Sequence, residues 1–462
     1  MRAPRTVPKN ELSGPTDPGN LSGTMHVVNL GMIGGGTVGS GVFNALQRNG
    51  DLLAKRIGVR INIVKIAVKA FDEPRPYPIP RSYLTTDWRS VVNDPQVQIV
   101  AELAGGTTVA REMVLSALRL GKPVVTANKA LLSAHGPELF ATAKANNTNL
   151  YYEASVAGGI PIIKALREGF VGNRITHIYG IVNGTCNYIL TRMTRDGMEF
   201  DAALKQAQQL GYAEADPSLD VDGLDAMHKT GILASLAHGF WVEPSQIYVE
   251  GIRAVTQTDI RFADQLGYVI KLLGIVKRLD ADGRAAPRVQ VSVYPTLVPK
   301  HHLLAGVNDV FNAVFVRGDV VGDTLFYGRG AGKDATASAV LSDLADAALD
   351  LKLGTKQRVP AFAEHERYGK VVPIEEVSTR YYVRLEVVDQ PGVLAQISSI
   401  FGRARISISS VIQPEDHKGT TVPVIMMMHA AQNAAMLHAL RQIGKLRVVK
   451  SKPVMIRVEN LE

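Results

Sequence analysis

The sequence has one cysteine, no long apolar run and no block of like charge, and each shortage excludes a class of protein. Cys186 alone cannot form an intramolecular disulfide framework or a multi-cysteine metal site. No apolar run approaches the roughly 20 residues that cross a bilayer, so we expect no membrane. The first 24 residues lack the apolar segment of a signal peptide. These absences favour a cytoplasmic protein.

The net charge of +8 is spread along the chain and is not gathered in a Lys/Arg block. Such a balance favours anionic small molecules such as phosphates, and nothing beyond the net charge supports nucleic-acid binding. A length of 462 residues predicts two or three domains. We predict a disordered tail over residues 1–24, and either Met1 or Met25 can be the start.

A glycine-rich loop lies between the first predicted strand and helix. Val27–Ile33 reads as a buried strand, Gly34-Gly35-Gly36-Thr37-Val38-Gly39 follows, and a helix continues to about Asn49. Later strands alternate with helices as far as residue 150, and the last of these helices is predicted from Pro137 to Asn146. This alternation predicts a parallel, doubly wound, Rossmann-type sheet over 25–150. In this setting the loop predicts a dinucleotide site with the pyrophosphate at the helix start. The predicted contacts are Gly34, Gly36, Thr37, Val38 and Gly39.

The residue that follows the second predicted strand indicates whether the cofactor is NAD or NADP. NAD sites usually place Asp or Glu there, whereas this chain has Lys69. A lysine can meet a 2′-phosphate, so NADPH is preferred over NADH, although an exposed strand-end lysine explains Lys69 nearly as well.

Residues 151–327 change in pattern to mixed helices and strands, which predicts an α+β catalytic and dimerisation domain. A second glycine loop, 327–332, and an alanine-rich helix predict that 328–352 returns to close the cofactor domain. Segment 354–379, with two prolines and no periodicity, reads as a linker. Residues 380–462 then follow a βαββαβ order, a ferredoxin-like unit with a regulatory role.

The most informative stretch runs from Gly211 to Lys229. Five carboxylates precede one lysine within these nineteen positions. If a helix starts at Asp222, Asp225 and Lys229 are i and i+4 on one face. A lysine beside a carboxylate near a nicotinamide can exchange a proton with an alcohol oxygen while hydride moves on carbon. An ordinary surface ion pair is the alternative on spacing alone.

Four motifs together closely resemble homoserine dehydrogenases over about Val27 to Leu349. They are Gly34-x-Gly36-x-x-Gly39, Thr126-Ala127-Asn128-Lys129-Ala130, Asn183-Gly184-Thr185-Cys186-Asn187-Tyr188-Ile189-Leu190 and the Gly211–Lys229 stretch. The resemblance implies NAD(P)-dependent, reversible reduction of L-aspartate 4-semialdehyde to L-homoserine, in threonine, methionine and isoleucine biosynthesis.

The resemblance also implies roles for particular residues. Lys229 is the proton-transfer lysine, with Asp225 and Lys129 beside it in the catalytic site. The residues implied to hold the substrate are Glu214, Asp225, Asp220 and Lys129. Beyond the glycine loop and Lys69, the cofactor contacts implied are Gly105, Lys129, Gly211 and Gly332. A sodium ion is implied at Glu153, Val156, Gly158 and Ile160, where a hard cation would find oxygen ligands.

The C-terminal unit resembles an ACT domain at Asp389-Gln390-Pro391-Gly392-Val393-Leu394. The resemblance implies threonine as effector, bound around Asp389, Gly392, Val393 and Leu394, and a homodimer or homotetramer. A dimerisation module without an effector is the alternative.

The sequence is also compatible with two other functions. Cys186 can be a nucleophile, as in phosphorylating semialdehyde dehydrogenases, although a small cysteine is more often a packing residue. The chain can also be an amino-acid sensor that binds without turnover, although every matched catalytic position is present. His228 and the pair His301-His302 show no metal-ligand spacing.

Overall fold

The computed structural model describes residues 25–280, 286–414 and 421–461. The predicted tail, 1–24, lies outside them. Among the described helices, none combines the length and the apolar character that a membrane crossing requires.

The N-terminal domain, residues 25–150, is built on a parallel sheet with strand order β3-β2-β1-β4-β5-β6 in the described part of the chain. This order and the parallel pairing confirm the predicted doubly wound sheet. Its strands are β1 (His26–Ile33), β2 (Val59–Ala67), β3 (Leu84–Thr85), β4 (Ile99–Glu102), β5 (Val124–Thr126) and β6 (Leu150–Tyr151). Its helices are α1 (Thr37–Ile57), α2 (Arg89–Val92), α3 (Val109–Arg119) and α4 (Lys129–Ala145).

The central domain, residues 151–353, combines a mixed sheet with helices that lie against it. Its strands are β7 (Ile175–Ile181), β8 (Tyr248–Val249), β9 (Tyr268–Arg278), β10 (Arg288–Pro299), β11 (Phe311–Gly318) and β12 (Gly322–Arg329). Its helices are α5 (Ile162–Lys164), α6 (Gly184–Asp196), α7 (Phe200–Gln209), α8 (Ser218–Val221), α9 (Leu224–His238), α10 (Gln257–Gln265) and α11 (Lys333–Leu353).

Helix α11 returns to the N-terminal domain, as 328–352 is expected to do. Ala337, Val340 and Leu344 share a buried cluster with Val28 and Leu30 of β1. Gly41 of α1 permits the close approach, since a Cβ there would lie 2.3 Å from the main-chain oxygen of Lys333. The start of α11 is therefore fixed beside the carboxyl edge of the parallel sheet.

The C-terminal domain, residues 378–461, has the predicted βαββαβ order. Its elements are β14 (Ser378–Val388), α12 (Val393–Arg403), β15 (Ile408–Ile412), β16 (Thr421–Gln432), α13 (Asn433–Ile443) and β17 (Val454–Val458). Strand β17 also pairs in parallel with β10, at Thr296 with Arg457 and at Leu297 with Val458. Within the described residues the two domains therefore share one sheet, with the order β12-β11-β7-β9-β10-β17-β14-β16-β15.

Three local features differ from the sequence expectations. Helix α4 starts at Lys129 and contains Pro137, whereas the sequence suggested a helix start at that proline. Strand β12 covers part of the predicted glycine loop and leaves residues 330–332 as the turn. Segment 354–379 is packed against the protein: it contributes β13 (Lys370–Val371), which pairs with β10, and buried Val372 and Ile374.

Candidate active site

A cleft of about 640 Å³ lies between the N-terminal and central domains. Thr37, Val38 and Lys129 line it from the carboxyl edge of the parallel sheet. The facing wall comes from the central domain, and the residues on it that the sequence singled out are Gly158, Asn183, Gly211, Glu214, Asp220, Asp225, Lys229 and Gly332. Proteins of this architecture bind ligands at this edge of the sheet.

The glycine loop has the geometry that its three glycines suggest. Gly34 has φ +108°, and a Cβ there would lie 2.5 Å from the carbonyl of Leu103. A Cβ on Gly39 would lie 2.0 Å from the main-chain oxygen of Gly34, so glycine permits α1 to begin close against the strand. At Gly36 there is open space, which is where a pyrophosphate would approach the helix start.

Buried Glu102, at the end of β4, shapes the loop that contains Gly105. One carboxylate oxygen accepts hydrogen bonds from the amides of Ala104 and Gly105, both at 3.0 Å, and the other accepts from Thr126 Oγ1 at 2.7 Å. Gly105 has φ +79° and is exposed beside the sheet edge. Glu102 was not among the residues predicted from the sequence, although a carboxylate at the end of an apolar strand is a signal that could have identified it.

The basic groups after β2 lie around Gly35 and the strand end. Lys69 is exposed directly beyond the strand. Arg75, which was not predicted from the sequence, donates to the main-chain oxygens of Phe71 at 2.9 Å and Ala70 at 2.8 Å. Its Nε is buried without a hydrogen-bond partner among the described residues and lies 3.4 Å from where a Gly35 Cβ would be.

The lysine of the Gly211–Lys229 stretch is buried at the base of the cleft, with 8% of its surface exposed. Gly223, at φ +85°, separates α8 from α9, so α9 begins at Leu224 and carries Asp225 in its first turn. Lys229 Nζ donates to Asp225 Oδ2 and to the main-chain oxygen of Val182, both at 2.7 Å. An ammonium has three donors, so one remains for a substrate oxygen. The surface ion-pair alternative is wrong, because this pair is buried.

Asp225 bridges two lysines that come from different domains. Its Oδ1 lies 3.2 Å from Nζ of Lys129, the first residue of α4, while Oδ2 accepts from Lys229. Burial alone would raise the pKa of Asp225, but the two ammonium groups and the hydrogen bonds to it lower that pKa far below its usual range. The bridge therefore holds a carboxylate ionised between two cations.

The remaining carboxylates of the stretch separate into two groups. Glu214 is exposed on the cleft wall, and Asp220 is half-buried beside Asp225. Burial raises the pKa of Asp220, and the neighbouring Asp225 charge acts in the same direction. Asp216 accepts from the amide of Ser218 at 3.1 Å, and Asp222 pairs with Arg253, so both have structural partners.

Cys186 does not line the cleft. It is fully buried in α6, and its thiol lies 3.1 Å from the main-chain oxygen of Asp220, to which it donates. Burial raises the pKa of the Cys186 thiol well above its ordinary value, which opposes formation of the thiolate that nucleophilic attack requires. The geometry argues against the nucleophile alternative.

The turn proposed for sodium lies where the N-terminal and central domains meet. Both carboxylate oxygens of Glu153 accept amide hydrogen bonds, from Ile163 at 2.9 Å and from Lys164 at 2.7 Å. Ala157 and Gly158 have φ values of +56° and +52°, which bends the main chain sharply. The side chain of Glu153 is thus engaged, and among the main-chain oxygens that of Ile160 accepts from the amide of Ile162 at 2.8 Å. No cluster of three His, Cys, Asp or Glu suited to a metal occurs in the described ranges.

Fold and site define a class: an oxidoreductase with a Rossmann-type nicotinamide-dinucleotide domain and a buried lysine facing it across a cleft. Family models agree with each domain. The model described as "Homoserine dehydrogenase, NAD binding domain" matches 34–153, "Homoserine dehydrogenase" matches 161–345, and "ACT domain" matches 381–447. The chain belongs to the homoserine dehydrogenase family, in a form with a C-terminal ACT domain.

Individual relatives support this assignment over nearly the whole length. The homoserine dehydrogenase of Pseudomonas aeruginosa is 43% identical over 95% of this chain and 100% of its own. A crystal structure of a homoserine dehydrogenase from Thiobacillus denitrificans has a TM-score of 0.88 at 43% identity, over 95% of this chain and 99% of its own. A hyperthermophilic archaeal homoserine dehydrogenase, solved in complex with NADPH, has a TM-score of 0.58 at 29% identity and covers 70% of this chain and 98% of its own.

Proposed function

We propose that this chain reduces L-aspartate 4-semialdehyde to L-homoserine, reversibly, with a nicotinamide dinucleotide, in the biosynthesis of threonine, methionine and isoleucine. The observation that carries the proposal is the buried Lys229, held at 2.7 Å by both Asp225 and the Val182 carbonyl beside the dinucleotide domain. Family membership supports the same reaction.

Different residues of the cleft have different roles in the reaction. The dinucleotide, when bound, supplies hydride to the aldehyde carbon. Lys229 supplies a proton to the aldehyde oxygen from its remaining N–H, and in the reverse direction its neutral amine accepts the alcohol proton. Asp225 fixes the lysine in the geometry for this transfer.

Charges around Lys229 suit the two ends of an amino-acid substrate. Because Asp225 is already shared by two lysines, Glu214 and Asp220 are the carboxylates left for the substrate ammonium. Lys129, partly exposed, can meet the substrate carboxylate or the cofactor. The same arrangement argues against the sensor alternative, which needs no buried proton donor.

We infer that NADPH is the preferred cofactor. The Nε–H of Arg75 and the ammonium of Lys69 both lie after β2, where the 2′-phosphate of NADPH would be. The archaeal relative solved with NADPH supports a phosphate-bearing cofactor in this family.

Steady-state rates with aspartate semialdehyde test these proposals. We expect turnover with both cofactors and a higher kcat/KM with NADPH than with NADH. No turnover with either cofactor would contradict the proposed reaction, whereas a preference for NADH would contradict only the role given to Lys69 and Arg75.

We also propose that sodium binds at the turn that contains Glu153, Val156, Gly158 and Ile160, through main-chain oxygens. A hard cation accepts such ligands, and the two successive left-handed residues, Ala157 and Gly158, bend the main chain sharply at this turn. Comparison of melting temperature in NaCl and in choline chloride at equal ionic strength tests this. A higher melting temperature in sodium is expected, and equal values would oppose a sodium site.

For the ACT domain we propose inhibition by threonine bound at the turn before α12. Asp389, Gly392 and Leu394 are exposed there, Val393 is buried, and Gly392 has φ +85°. A homodimer or homotetramer formed through this domain fits the exposed apolar residues Leu394 and Val411, each about 40% exposed, and stays a proposal.

Buried polar contacts link this domain to the central one. Asp259 of α10, fully buried, accepts from Arg384 at 2.7 Å and from Tyr382 at 3.1 Å, and both belong to the strand that leads into the proposed effector turn. Arg457 of β17, also buried, donates to Glu250 at 3.0 Å. An effector that shifts β14 would therefore disturb the central domain.

The test for the effector must use the full chain. Truncation near Arg380 would remove β17 from the shared sheet and expose β10, so loss of inhibition would then have a trivial cause. Asp389→Ala in the intact protein should raise the threonine concentration for half-inhibition by tenfold or more while kcat without threonine is unchanged. Unchanged inhibition in this variant would oppose the assignment.

A further inference from the structure

The side chain of Asn183 connects two carboxylates of the active site. Its amide nitrogen donates to Asp220 Oδ1 at 2.7 Å and to Asp225 Oδ2 at 3.0 Å. Asn183 is itself buried, with 5% of its surface exposed. It follows β7 and precedes α6, so its position is fixed by two regular elements. One neutral donor thereby holds together two groups that repel each other when both are ionised.

The orientation of this amide is determined by its other end. Asn183 Oδ1 accepts from the main-chain amide of Cys186 at 2.8 Å, which is the N-terminal cap of α6. Rotating the amide by half a turn would place its oxygen against two carboxylates and its NH₂ against an N–H donor. The nitrogen must therefore face Asp220 and Asp225.

Asp220 depends on this contact more than Asp225 does. Asp225 has two lysine partners, whereas the charged groups that act on Asp220 are the repelling Asp225 and the attracting Lys229, both from α9. Burial raises the pKa of Asp220, and hydrogen bonds from Asn183, the larger effect, and from Thr185 oppose that rise. Removing the donor would leave a half-buried carboxylate that protonates more readily.

We propose that Asn183 is a positioning residue for proton transfer, which keeps Asp220 ionised for the substrate ammonium and Asp225 aligned between Lys129 and Lys229. This inference rests on the proposed function. The same inference assigns a role to buried Cys186. The Cys186 amide holds the Asn183 side chain in place, and the Cys186 thiol donates to the main-chain oxygen of Asp220.

Replacement of Asn183 by Ser and by Asp separates the capping role from the bridging role. Ser and Asp cap a helix about as well as Asn, but neither presents an amide donor to the two carboxylates. We expect kcat/KM for reduction of the semialdehyde, the direction in which Lys229 acts in its protonated form, to fall about 100-fold in both variants, as is typical of a misplaced catalytic group. The acidic limb of its pH profile should move to higher pH, and further in Asn183→Asp, where the added charge repels both carboxylates.

Three comparisons decide the interpretation. In an Asp220→Asn background, Asn183→Asp should no longer move the acidic limb, because the titrating group is gone. If capping were the only role, Asn183→Asp would keep the wild-type kcat/KM and pH profile, and that result would overturn the inference. Should Asn183→Asp lose its melting transition or its NADPH binding, the uncharged Asn183→Ser variant decides by the same criteria. A wild-type enzyme without turnover would instead refute the proposed function.

Discussion

Lys229 and Asp225, four residues apart on α9, form a buried ion pair in which Nζ lies 2.7 Å from Oδ2. Ion pairs at this spacing on a protein surface contribute little to the free energy of unfolding. In this pair, Lys229 also donates to the main-chain oxygen that follows β7, and Asp225 is shared with Lys129 of the opposite domain. The pair exists in this form only when both domains are in place, which ties the proton donor to the dinucleotide site.

Replacement of Cys186 by Ser should leave kcat within about threefold of the wild type. A serine hydroxyl can also donate to the main-chain oxygen of Asp220, and the buried thiol makes no contact with the cleft. Steady-state rates and an alkylation assay on the native protein check this. A loss of more than 100-fold, or a burst of covalent acyl intermediate, would restore the nucleophile alternative.

Arg75→Ala should raise KM for NADPH about tenfold and leave KM for NADH nearly unchanged. The loss corresponds to one charge-assisted contact with a phosphate that NADH lacks. Lys69→Ala serves as the comparison, with a smaller effect because Lys69 is exposed and screened. Equal effects of Arg75→Ala on both cofactors would show that Arg75 only shapes the loop after β2.

The pH dependence of stability should contain a contribution from Glu153. Burial raises its pKa from 4.5 to about 7, against amide hydrogen bonds from Lys164 and Ile163 that lower it. Because the folded state favours the protonated form, the free energy of unfolding falls as pH rises from 4.5 towards 7. The decrease from this group is at most about 3 kcal/mol.

Denaturant titrations between pH 4.5 and 8 measure this slope. Glu153→Gln, which does not titrate, should have a flatter profile than the wild type whatever its absolute stability. Identical slopes in the two proteins would show that Glu153 titrates at its ordinary pKa.

Individual helices, strands and turns were predicted well, because the residues that determine each of them lie close together in the sequence. The strand, loop and helix around Gly34–Gly39 and the i, i+4 relation of Asp225 and Lys229 were found in the structure as periodicity and spacing suggested. The parallel pairing of the N-terminal sheet likewise follows from alternating strands and helices.

What the sequence could not predict depends on contacts between distant residues. Strands β17 and β10 pair although their residues are about 160 positions apart, and no pattern in either strand indicates which strand it will pair with. The roles of Asn183 and Arg75 arise only when loops are placed side by side. Pro137 was misleading because its missing N–H and restricted φ do not always end a helix.

Tyr382→Phe should weaken the contact between the ACT and central domains without breaking it. The change removes one hydrogen bond to Asp259, worth about 1 kcal/mol, and leaves Arg384 in place. We expect a small fall in melting temperature, unchanged kcat without threonine and a measurable shift in half-inhibition. An inhibition curve identical to the wild type would mean that the signal does not pass through Asp259.

Pre-steady-state and steady-state turnover of Lys229→Ala show whether Lys229 moves the proton. Lys277→Ala is the matched control, since Lys277 is a partly buried lysine that pairs with buried Glu459, away from the cleft. We expect Lys229→Ala to lose at least about 1000-fold in kcat, within the range for a general acid, while its Kd for NADPH stays within about twofold of the wild type. Retention of more than a tenth of wild-type kcat in Lys229→Ala would contradict it.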